Sequence, residues 1–363
     1  MKRLLFTVTN DLSYDQRMIR ICSSLADNGY SVLLVGRRQK NSVPLKPEKF
    51  QQKRLSCFFE KGKWFYIEYN LRLFFFLLFR KAHLICAIDL DTIIPCYYIS
   101  RLKKTKRVYD AHELFCEMKE IASRPRIYKI WKRVERLTVP KFRYGYTVNG
   151  VIANEFKKMY GCDYEVIRNL PVLKELQIPE KKDRYVYYQG AVNEGRSFET
   201  LIPAFRDVNV PLLIAGDGNF MAQARDLAHA NGLDDKVRFL GKLPPGELGN
   251  YINQAWIGVT LFDKTGLSNY YSLANRFFDY LHAGVPQLCV EYPEYIDLNK
   301  KYNVAVLIRD LDCKNVAKLL NHMLNNDTLY YQLQQNCLRA REELNWQHEE
   351  KKLISFYQKI FAT

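Results

Sequence analysis

Short apolar segments alternate with amphipathic segments along most of the chain, and this alternation constrains the fold more than any other feature. Residues 2–9 form an apolar run, residues 15–28 carry apolar side chains at helical spacing, and YSVLLVG follows directly. The pattern returns with HLICAID, a helical stretch at 92–103, and RVYDAHE. Repeated βαβ units predict an open parallel sheet with helices on both faces in the first half of the chain.

A second series of the same kind begins after a charged, proline-bearing stretch at 165–183, which is typical of a linker. Its predicted strands are YVYYQG, VPLLIAGDG, KVRFLG, WIGVTLF and VPQLCV, and three consecutive helices are predicted at 314–324, 328–344 and 347–361. With 363 residues, the chain exceeds the usual size of a single core. We therefore expect Rossmann-like domains at 1–170 and 171–344, with a C-terminal helix at 345–363 that packs back onto the first.

Charge is distributed unevenly between the two halves. Residues 1–170 contain 33 Lys and Arg against 16 Asp and Glu, whereas residues 171–363 contain 22 against 23. The first half therefore carries a net charge of +17 and the second of −1. Such asymmetry favours an anionic partner for the first half, either a membrane surface, a phosphorylated lipid or a nucleic acid. A generally basic surface is the alternative.

The segment LRLFFFLLFRK at 71–81 is the one candidate for membrane insertion. Its uninterrupted apolar part has seven residues, far fewer than the roughly 20 that cross a bilayer. We favour a buried helix of an α/β layer, and an interfacial membrane patch is the alternative because arginines flank the run.

The chain carries no recognisable export or disulfide pattern. MKRLLFTVTNDLS is too polar after its brief apolar stretch for a signal peptide and is typical of an opening β-strand. The nine cysteines include no Cys-x-x-Cys pair and no zinc-like spacing. They indicate free thiols in a reducing compartment, so we expect a cytoplasmic protein.

Four segments, each at a strand end or opening a helix, occur in a recognisable order: YDAHELFCE, GAVNEGRSFETLI, LLIAGDGN and YYSLANRFFDYLHAGVP. Together they resemble the retaining, nucleotide-sugar-dependent glycosyltransferases of family 4. The resemblance covers most of the chain, and four segments in register are a far more specific signal than any one alone. It implies the α/β GT-B architecture: two facing Rossmann-like, doubly wound parallel-sheet domains with a donor cleft between them.

The resemblance and the chemistry of the residues together predict a donor site in the second domain. A helix that begins near Ala274 presents its N–H groups and positive dipole end to a diphosphate. Arg276 offers a fork of donors to phosphate oxygens, and Asp279 can accept hydrogen bonds from vicinal ribose hydroxyls. Arg196 would neutralise the leaving diphosphate. The full set of predicted donor-binding residues is Gly190, Asn193, Arg196, Gly216, Gly218, Asn275, Arg276 and Asp279.

Two features of this donor segment depart from the family pattern. Asp279 is one methylene shorter than the glutamate usual there, and Tyr271 stands where many members have a first glutamate. We interpret Tyr271 as a subfamily feature and not as a loss of activity. A buried helix explains the phenylalanines of this segment but not Asn275, Arg276 and Asp279 together.

The predicted acceptor-side residues lie in the first domain. His112 is the main catalytic candidate there, because imidazole can hydrogen-bond a sugar hydroxyl or carry a proton near neutral pH. Predicted catalytic residues are therefore His112, Arg196 and Asp279, and the loops that touch the acceptor or the donor sugar contribute Asn10, Asp15, Arg17, Asp110 and Glu113. Asp15 has a second interpretation, as a helix cap.

The resemblance implies transfer of a sugar, with retention, from a nucleotide diphosphate to the hydroxyl of a saccharide or a polyprenyl-diphosphate-linked saccharide in surface polysaccharide biosynthesis. UDP or GDP is the expected nucleotide, and no cofactor or metal is expected, since helix dipole and arginines can stabilise the leaving group. Visits to the anionic cytoplasmic membrane face would suit the basic first domain and the aromatic residues Trp64, Phe65 and Tyr66.

Three other functions stay open on the sequence alone. A nucleotide-sugar 2-epimerase shares the architecture, although we find no carboxylate and histidine set for its chemistry. A nucleic-acid-binding protein would use the basic half with stacking aromatics, but strands and helices account for those aromatics more simply, so no nucleic acid is expected. A non-catalytic subunit with the same fold would explain the departures at Tyr271 and Asp279.

Overall fold

The computed structural model describes residues 1–362 except 177, 178, 180–182 and 265. It divides into two compact units: unit 1 comprises Met1–Asn169 and Glu349–Thr363, and unit 2 comprises Leu170–His348. Each unit is built on one parallel β-sheet. The prediction of two parallel-sheet α/β domains is therefore confirmed.

Unit 1 contains a seven-stranded parallel sheet in the order β3-β2-β1-β4-β5-β6-β7. The central strands are almost wholly apolar and buried on both faces, as a sheet covered by helices requires. The elements of unit 1 up to β7 are β1 Arg3–Thr7, α1 Gln16–Asp27, β2 Ser31–Arg38, β3 Gln51–Ser56, α2 Gly62–Leu78, β4 Leu84–Ile88, α3 Ile93–Leu102, β5 Lys106–Ala111, α4 Lys119–Ala122, α5 Pro125–Thr138, β6 Tyr144–Thr147, α6 Gly150–Tyr160 and β7 Glu165–Val166.

Unit 2 contains a six-stranded parallel sheet in the order β10-β9-β8-β11-β12-β13. Apolar residues from both sides of this sheet form its core. Its elements are β8 Val186–Gln189, α7 Phe198–Ala204, β9 Leu212–Ala215, α8 Met221–Ala230, β10 Val237–Gly241, α9 Pro245–Gln254, β11 Ile257–Thr260, α10 Leu267–Tyr270, α11 Asn275–His282, β12 Gln287–Val290, α12 Pro293–Tyr302, β13 Ala305–Ile308, α13 Cys313–Leu324 and α14 Asp327–Glu343.

The last helix, α15 at Trp346–Ala362, starts in unit 2 and continues into unit 1. At its beginning, the Trp346 N–H donates to the carbonyl of Pro171. Further along, the ring of Tyr357 lies 6.0 Å from that of Phe6, and Phe356 lies 5.2 Å from Tyr146. Residues from Glu349 onward thus complete the core of the first sheet.

Helix α2 has one buried and one exposed apolar face. Phe65, Tyr69, Leu73 and Leu77 are buried against unit 1. The opposite face leaves five large apolar side chains exposed to solvent, namely Trp64, Ile67, Leu71, Phe75 and the adjoining Phe79. The segment 71–81 was predicted to form a buried helix. The structure places a helix there, but only one of its two apolar faces is buried. Within the described part of the chain, no helix is long and apolar enough to cross a membrane.

Candidate donor and acceptor sites

Two glycine-rich loops meet at the carboxyl ends of β8 and β9 in unit 2. The Gly190 N–H donates to the carbonyl of Ala215 over 2.9 Å. A Cβ on Gly216, whose φ is +151°, would lie 1.8 Å from the Gly190 carbonyl oxygen, and one on Gly218 would lie 2.3 Å from that of Val192. These glycines are required for backbone to pack on backbone, whether or not a ligand is bound.

Asn193 joins the same two loops. Its Oδ1 accepts a hydrogen bond from the Asn219 N–H at 3.0 Å, and Asn219 Oδ1 accepts one from the Glu194 N–H at 3.1 Å. Asn193, predicted as a donor-binding residue, thus also holds the two strand-end loops in register.

Two arginines share one aromatic ring beside these loops. The guanidinium carbon of Arg196 lies 4.7 Å from the centre of the Phe262 ring, and that of Arg276 lies 4.5 Å from the same ring. Arg276 is 7% exposed and donates to the Tyr188 hydroxyl at 3.2 Å and to the Leu261 carbonyl at 3.4 Å. Among the described residues, no carboxylate forms an ion pair with Arg276. Asn269 links Arg196 to the neighbouring Asp263, because its Oδ1 accepts from Arg196 Nη1 at 3.4 Å and its Nδ2 donates to Asp263 Oδ1 at 3.3 Å. The two guanidinium groups around one ring offer hydrogen-bond donors to an anion.

Helix α11 begins where these cations lie. Its N-terminal flanking residue, Ala274, has extended backbone geometry, and no side chain caps this end. The Ala274 N–H instead donates to the Tyr295 hydroxyl over 2.9 Å. Asn275 and Arg276 are the first two helical residues, so the positive end of the helix dipole adds to the two guanidinium charges. The prediction that a helix begins near Ala274 is correct.

Asp279 lies one turn further along α11, at the wall of a pocket of about 330 Å³ within unit 2. Gln189, the last residue of β8, lines the same pocket, and its Nε2 donates to Asp279 Oδ2 over 2.6 Å. Leu248 and Ile252 of α9 supply apolar wall. We did not predict Gln189 as a site residue; its position directly before Gly190 was the only signal available in the sequence.

In unit 1, Arg17 and Asp110 form a buried, bidentate ion pair. Arg17 Nη1 and Nη2 each lie 2.6 Å from one Asp110 oxygen, and the side chains are 6% and 0% exposed. Burial opposes the charge on Arg17, but the Asp110 carboxylate raises the pKa of the guanidinium above its usual range. This pair ties the start of α1 to the end of β5.

Asp15 caps the N-terminus of α1, as the second interpretation of this residue predicted. Its Oδ1 accepts from the Met18 N–H at 3.1 Å, at the first turn of α1. Its Oδ2 accepts from the Asn10 side chain, also at 3.1 Å. Asn10, Asp15 and Arg17 therefore lie together after β1, and their contacts to a substrate stay a prediction.

His112 follows β5 and lies beside Asp89, a residue that we did not predict. The His112 N–H donates to Asp89 Oδ1 at 3.0 Å, and the His112 Nδ1 lies 3.9 Å from Asp89 Oδ2. Desolvation, followed by the charge of Arg17, lowers the pKa of His112 to about 3. Its side chain is still 41% exposed, so a neutral imidazole is available to a ligand at physiological pH.

Asp89 combines an unusual backbone with an unusual carboxyl environment. Its φ and ψ of 55° and 176° lie in a region that glycine occupies almost alone. Burial, and then the charge of Glu113, raises the pKa of Asp89 above its usual value. Nothing in the string ICAIDLDT signals a positive φ, so sequence reasoning could not single out this residue. Strain of this kind is frequent at functional sites.

No group of three or more His, Cys, Asp or Glu side chains suited to a metal ion occurs in the described parts of the chain. The nine cysteines are free thiols, and most of them are buried.

The fold and part of the sequence match known proteins. Residues 173–340, which lie in unit 2, match the family model described as glycosyl transferases group 1. A comparison with curated proteins gave no match.

Solved structures resemble the whole chain. Sucrose-phosphate synthase from Thermosynechococcus elongatus superposes with a TM-score of 0.82 at 15% identity, covering 100% of both chains. HepE from Anabaena, in complex with UDP-glucose, gives 0.77 at 10% identity, covering 99% of this chain and 100% of HepE. WaaG, a glycosyltransferase involved in lipopolysaccharide biosynthesis, gives 0.73 at 14% identity, covering 96% and 98%.

These likenesses define the class of fold, and the chain has the two-domain GT-B fold that was predicted. The family match at residues 173–340 supports a glycosyl-transfer role for unit 2. Membership of family 4 and retention of configuration stay predictions.

Proposed function

We propose that this protein is a retaining glycosyltransferase of family 4. It transfers a sugar from a nucleotide diphosphate, with UDP or GDP as the nucleotide, to the hydroxyl of a saccharide or a polyprenyl-diphosphate-linked saccharide in surface polysaccharide biosynthesis. The observation that carries this proposal is the cluster of Arg196, Arg276 and the α11 N-terminus around Phe262, with Asp279 one turn further along α11.

The spacing of this cluster suits a nucleotide. Asn275 and Asp279 are four residues apart, or about 6 Å along the axis at the helical rise of 1.5 Å per residue. A diphosphate at the helix start would therefore leave its ribose beside the carboxylate of Asp279. The cocrystallised UDP-glucose of HepE is consistent with such a ligand for the fold.

In the proposed reaction, the bond between the sugar C1 and the diphosphate oxygen breaks while the acceptor oxygen forms a new bond to C1 on the same face. The acceptor proton moves to an oxygen of the leaving phosphate. Arg196, Arg276 and the helix dipole would stabilise the charge that develops on the leaving diphosphate, so the reaction is proposed to need no metal ion. His112, neutral near pH 7, would hydrogen-bond a hydroxyl of the transferred sugar.

The first experiment is a binding panel with UDP, GDP, ADP and CMP, followed by calorimetry with the nucleotide that binds. Arg196→Gln removes one charge-assisted contact worth about 1.5–3 kcal/mol, and we expect affinity to fall roughly 10- to 150-fold. Asp279→Ala should also weaken binding.

Arg225→Gln is the matched control, because Arg225 also stacks on a phenylalanine, with its guanidinium carbon 4.7 Å from the Phe239 ring centre. It should bind nucleotide as the unaltered protein does. Absence of binding to every nucleotide would contradict the proposal and favour a non-catalytic subunit.

We further propose that unit 1 docks on the anionic cytoplasmic face of a membrane. Trp64, Ile67, Leu71 and Phe75 recur every three or four residues along one side of α2 and are all about half exposed. Lys61, Lys63, Arg72, Arg80 and Lys81 border this stripe. Apolar side chains with a basic border are the pattern of an interfacial helix.

Vesicle sedimentation tests this docking. Phe75→Ser should lower the fraction of protein bound to vesicles that contain phosphatidylglycerol. Tyr331→Ser in unit 2 is the control, because Tyr331 is 55% exposed and Phe75 is 56% exposed. The control should leave the bound fraction unchanged. Equal binding by both variants, or none by the unaltered protein, would refute the proposed surface.

A further inference from the structure

A pocket of about 150 Å³ in unit 1 is lined by residues that end or follow strands β2 and β3. Four of its lining side chains are cationic and one is anionic, namely Arg37, Arg38, Lys40 and Lys61 against Glu60. In an open parallel sheet, ligands bind beyond the carboxyl ends of the strands, which is where these residues lie. The pocket therefore has both the position and the charge of an anion-binding site.

The Arg37 guanidinium is held in one orientation. Its central carbon lies 4.3 Å from the centre of the Phe65 ring, and its Nη1 donates to the Glu60 carbonyl over 3.0 Å. Its Nη2 has no hydrogen-bond partner among the described residues and is open to solvent. Because its orientation is already fixed, this guanidinium loses little conformational freedom when it binds an oxyanion.

The protein does not neutralise the positive charge of this pocket. The Glu60 carboxylate lies 3.8 Å from Lys40 Nζ, but the two side chains are 43% and 83% exposed, so this pair is weak. In the part of the chain that the structure describes, no carboxylate lies within ion-pair distance of Arg37, Arg38 or Lys61. These three cations can therefore act together on a ligand.

The pocket is continuous with the exposed apolar face of α2. Lys61 directly precedes this helix, and no side chain caps the helix N-terminus, so the helix dipole adds positive charge there. Phe59, which lines the pocket, stacks on Trp64 of the exposed face with 6.2 Å between the ring centres. A ligand that suits both features carries several negative charges at the end of an apolar chain.

The pocket also adjoins the loop that follows β1. The Arg37 N–H donates to the carbonyl of Asn10 in this loop over 3.0 Å. Asn10 is one of the residues predicted to contact the acceptor or the donor sugar. An anionic group of the acceptor that is bound in the pocket would therefore lie next to a loop with a predicted part in the reaction.

We propose that this pocket binds the diphosphate of a polyprenyl-diphosphate-linked acceptor. A diphosphate offers enough charge and enough oxygens for several cations, whereas a phosphodiester headgroup carries a single charge. The proposal rests on the proposed function and deepens it, because it selects the lipid-linked saccharide over the soluble saccharide as the acceptor. The adjoining apolar face of α2 would then lie against the membrane that carries this lipid.

Vesicle sedimentation tests the pocket. Neutral phosphatidylcholine vesicles that contain a small fraction of polyprenyl diphosphate are compared with vesicles in which phosphatidylglycerol supplies the same total charge. The unaltered protein should bind the diphosphate vesicles about tenfold more tightly, because only they offer a multiply charged group to the pocket. Equal binding to both kinds of vesicle would mean that surface charge alone is recognised, and would overturn the diphosphate site.

Variants show whether the pocket is responsible for this preference. Arg38→Gln and Lys61→Gln each remove an exposed cation of the pocket, so neither substitution should unfold unit 1. Each should lower the affinity for diphosphate vesicles roughly tenfold. Arg101→Gln removes an exposed cation of unit 1 outside the pocket, and Arg196→Gln removes one from the proposed donor site. Both controls should leave the affinity unchanged, and a loss with Arg196→Gln but not with Arg38→Gln would overturn the proposal.

Nucleotide binding by the same preparation separates this proposal from the proposed function. If the unaltered protein binds a nucleotide but does not distinguish the two kinds of vesicle, the diphosphate site is wrong and the nucleotide site is retained. If it prefers diphosphate vesicles but binds no nucleotide, the pocket is supported and the proposed function is contradicted.

Discussion

The buried pair of Arg17 and Asp110 makes a sharp prediction about what these two residues do. Arg17→Met removes one partner and leaves the Asp110 carboxylate, which is 0% exposed, without its two 2.6 Å hydrogen bonds. Breaking a buried ion pair in this way costs about 3–5 kcal/mol. That is a large share of the roughly 5–15 kcal/mol by which domains are stable.

The free energy of unfolding of unit 1 is the quantity to measure, by urea titration combined with hydrogen exchange of the β5 peptides. Lys49→Met is the control, because the Lys49–Asp27 pair has a similar length of 2.7 Å but side chains that are 65% and 47% exposed. Its loss should cost less than about 1 kcal/mol.

The double variant Arg17→Met with Asp110→Asn removes both charges and should be more stable than Arg17→Met alone, because no buried charge is left unpaired. If Arg17→Met costs no more than Lys49→Met, the pair does not hold α1 to β5, and the two residues are free to serve as substrate ligands as the sequence suggested.

Three further predictions follow from backbone geometry and titration. Gly216→Ala should destabilise unit 2 by more than about 2 kcal/mol, because the new Cβ would lie 1.8 Å from the Gly190 carbonyl oxygen. Gly232→Ala is the control: its Cβ meets no atom within 4 Å, and the positive φ of +65° alone should cost about 1–2 kcal/mol. Equal losses of stability in thermal unfolding would contradict this prediction. Asp89→Gly should be more stable than Asp89→Ala by about 1–3 kcal/mol, because only glycine relieves the strain, and equal urea midpoints would count against that strain. The lowered pKa of His112 means that the unfolded state binds the extra proton between about pH 3 and pH 6.5, so stability rises with pH in that window; His112→Asn should show a shallower rise, and an unchanged slope would argue against a neutral His112.

Apolar periodicity was enough to predict the central strands and the last helices. The helices predicted at 314–324 and 347–361 differ by one residue at most at each end from α13 and α15. Strand β3 at Gln51–Ser56 was not predicted, because an edge strand needs only one covered face and its sequence, QQKRLS, is largely polar. Strand β13 was missed for a different reason: its four residues, Ala305–Ile308, are too few to show a period.

The sequence predicted those residues of the candidate site that lie on a single helix or strand, because their spacing along the chain shows that they share one face. Arg276 and Asp279 stand on α11 at helical spacing, and such spacing can be read from the chain. Gln189 and Asp89 could not be found in this way, because their properties arise from partners distant in sequence: Gln189 meets Asp279 across 90 positions, and Asp89 meets His112 across 23. Apolar periodicity carries no information about contacts between residues that are distant in sequence.

Helix α15 has a consequence for the order in which the protein can mature on the ribosome. Phe6 and Tyr146 pack against Tyr357 and Phe356, which are synthesised only after the whole of unit 2. The first sheet therefore emerges early but must wait for its final cover, with apolar surface open for the time that about half the chain takes to be translated. Chaperones should therefore bind the exposed apolar surface of the first sheet until helix α15 has been synthesised.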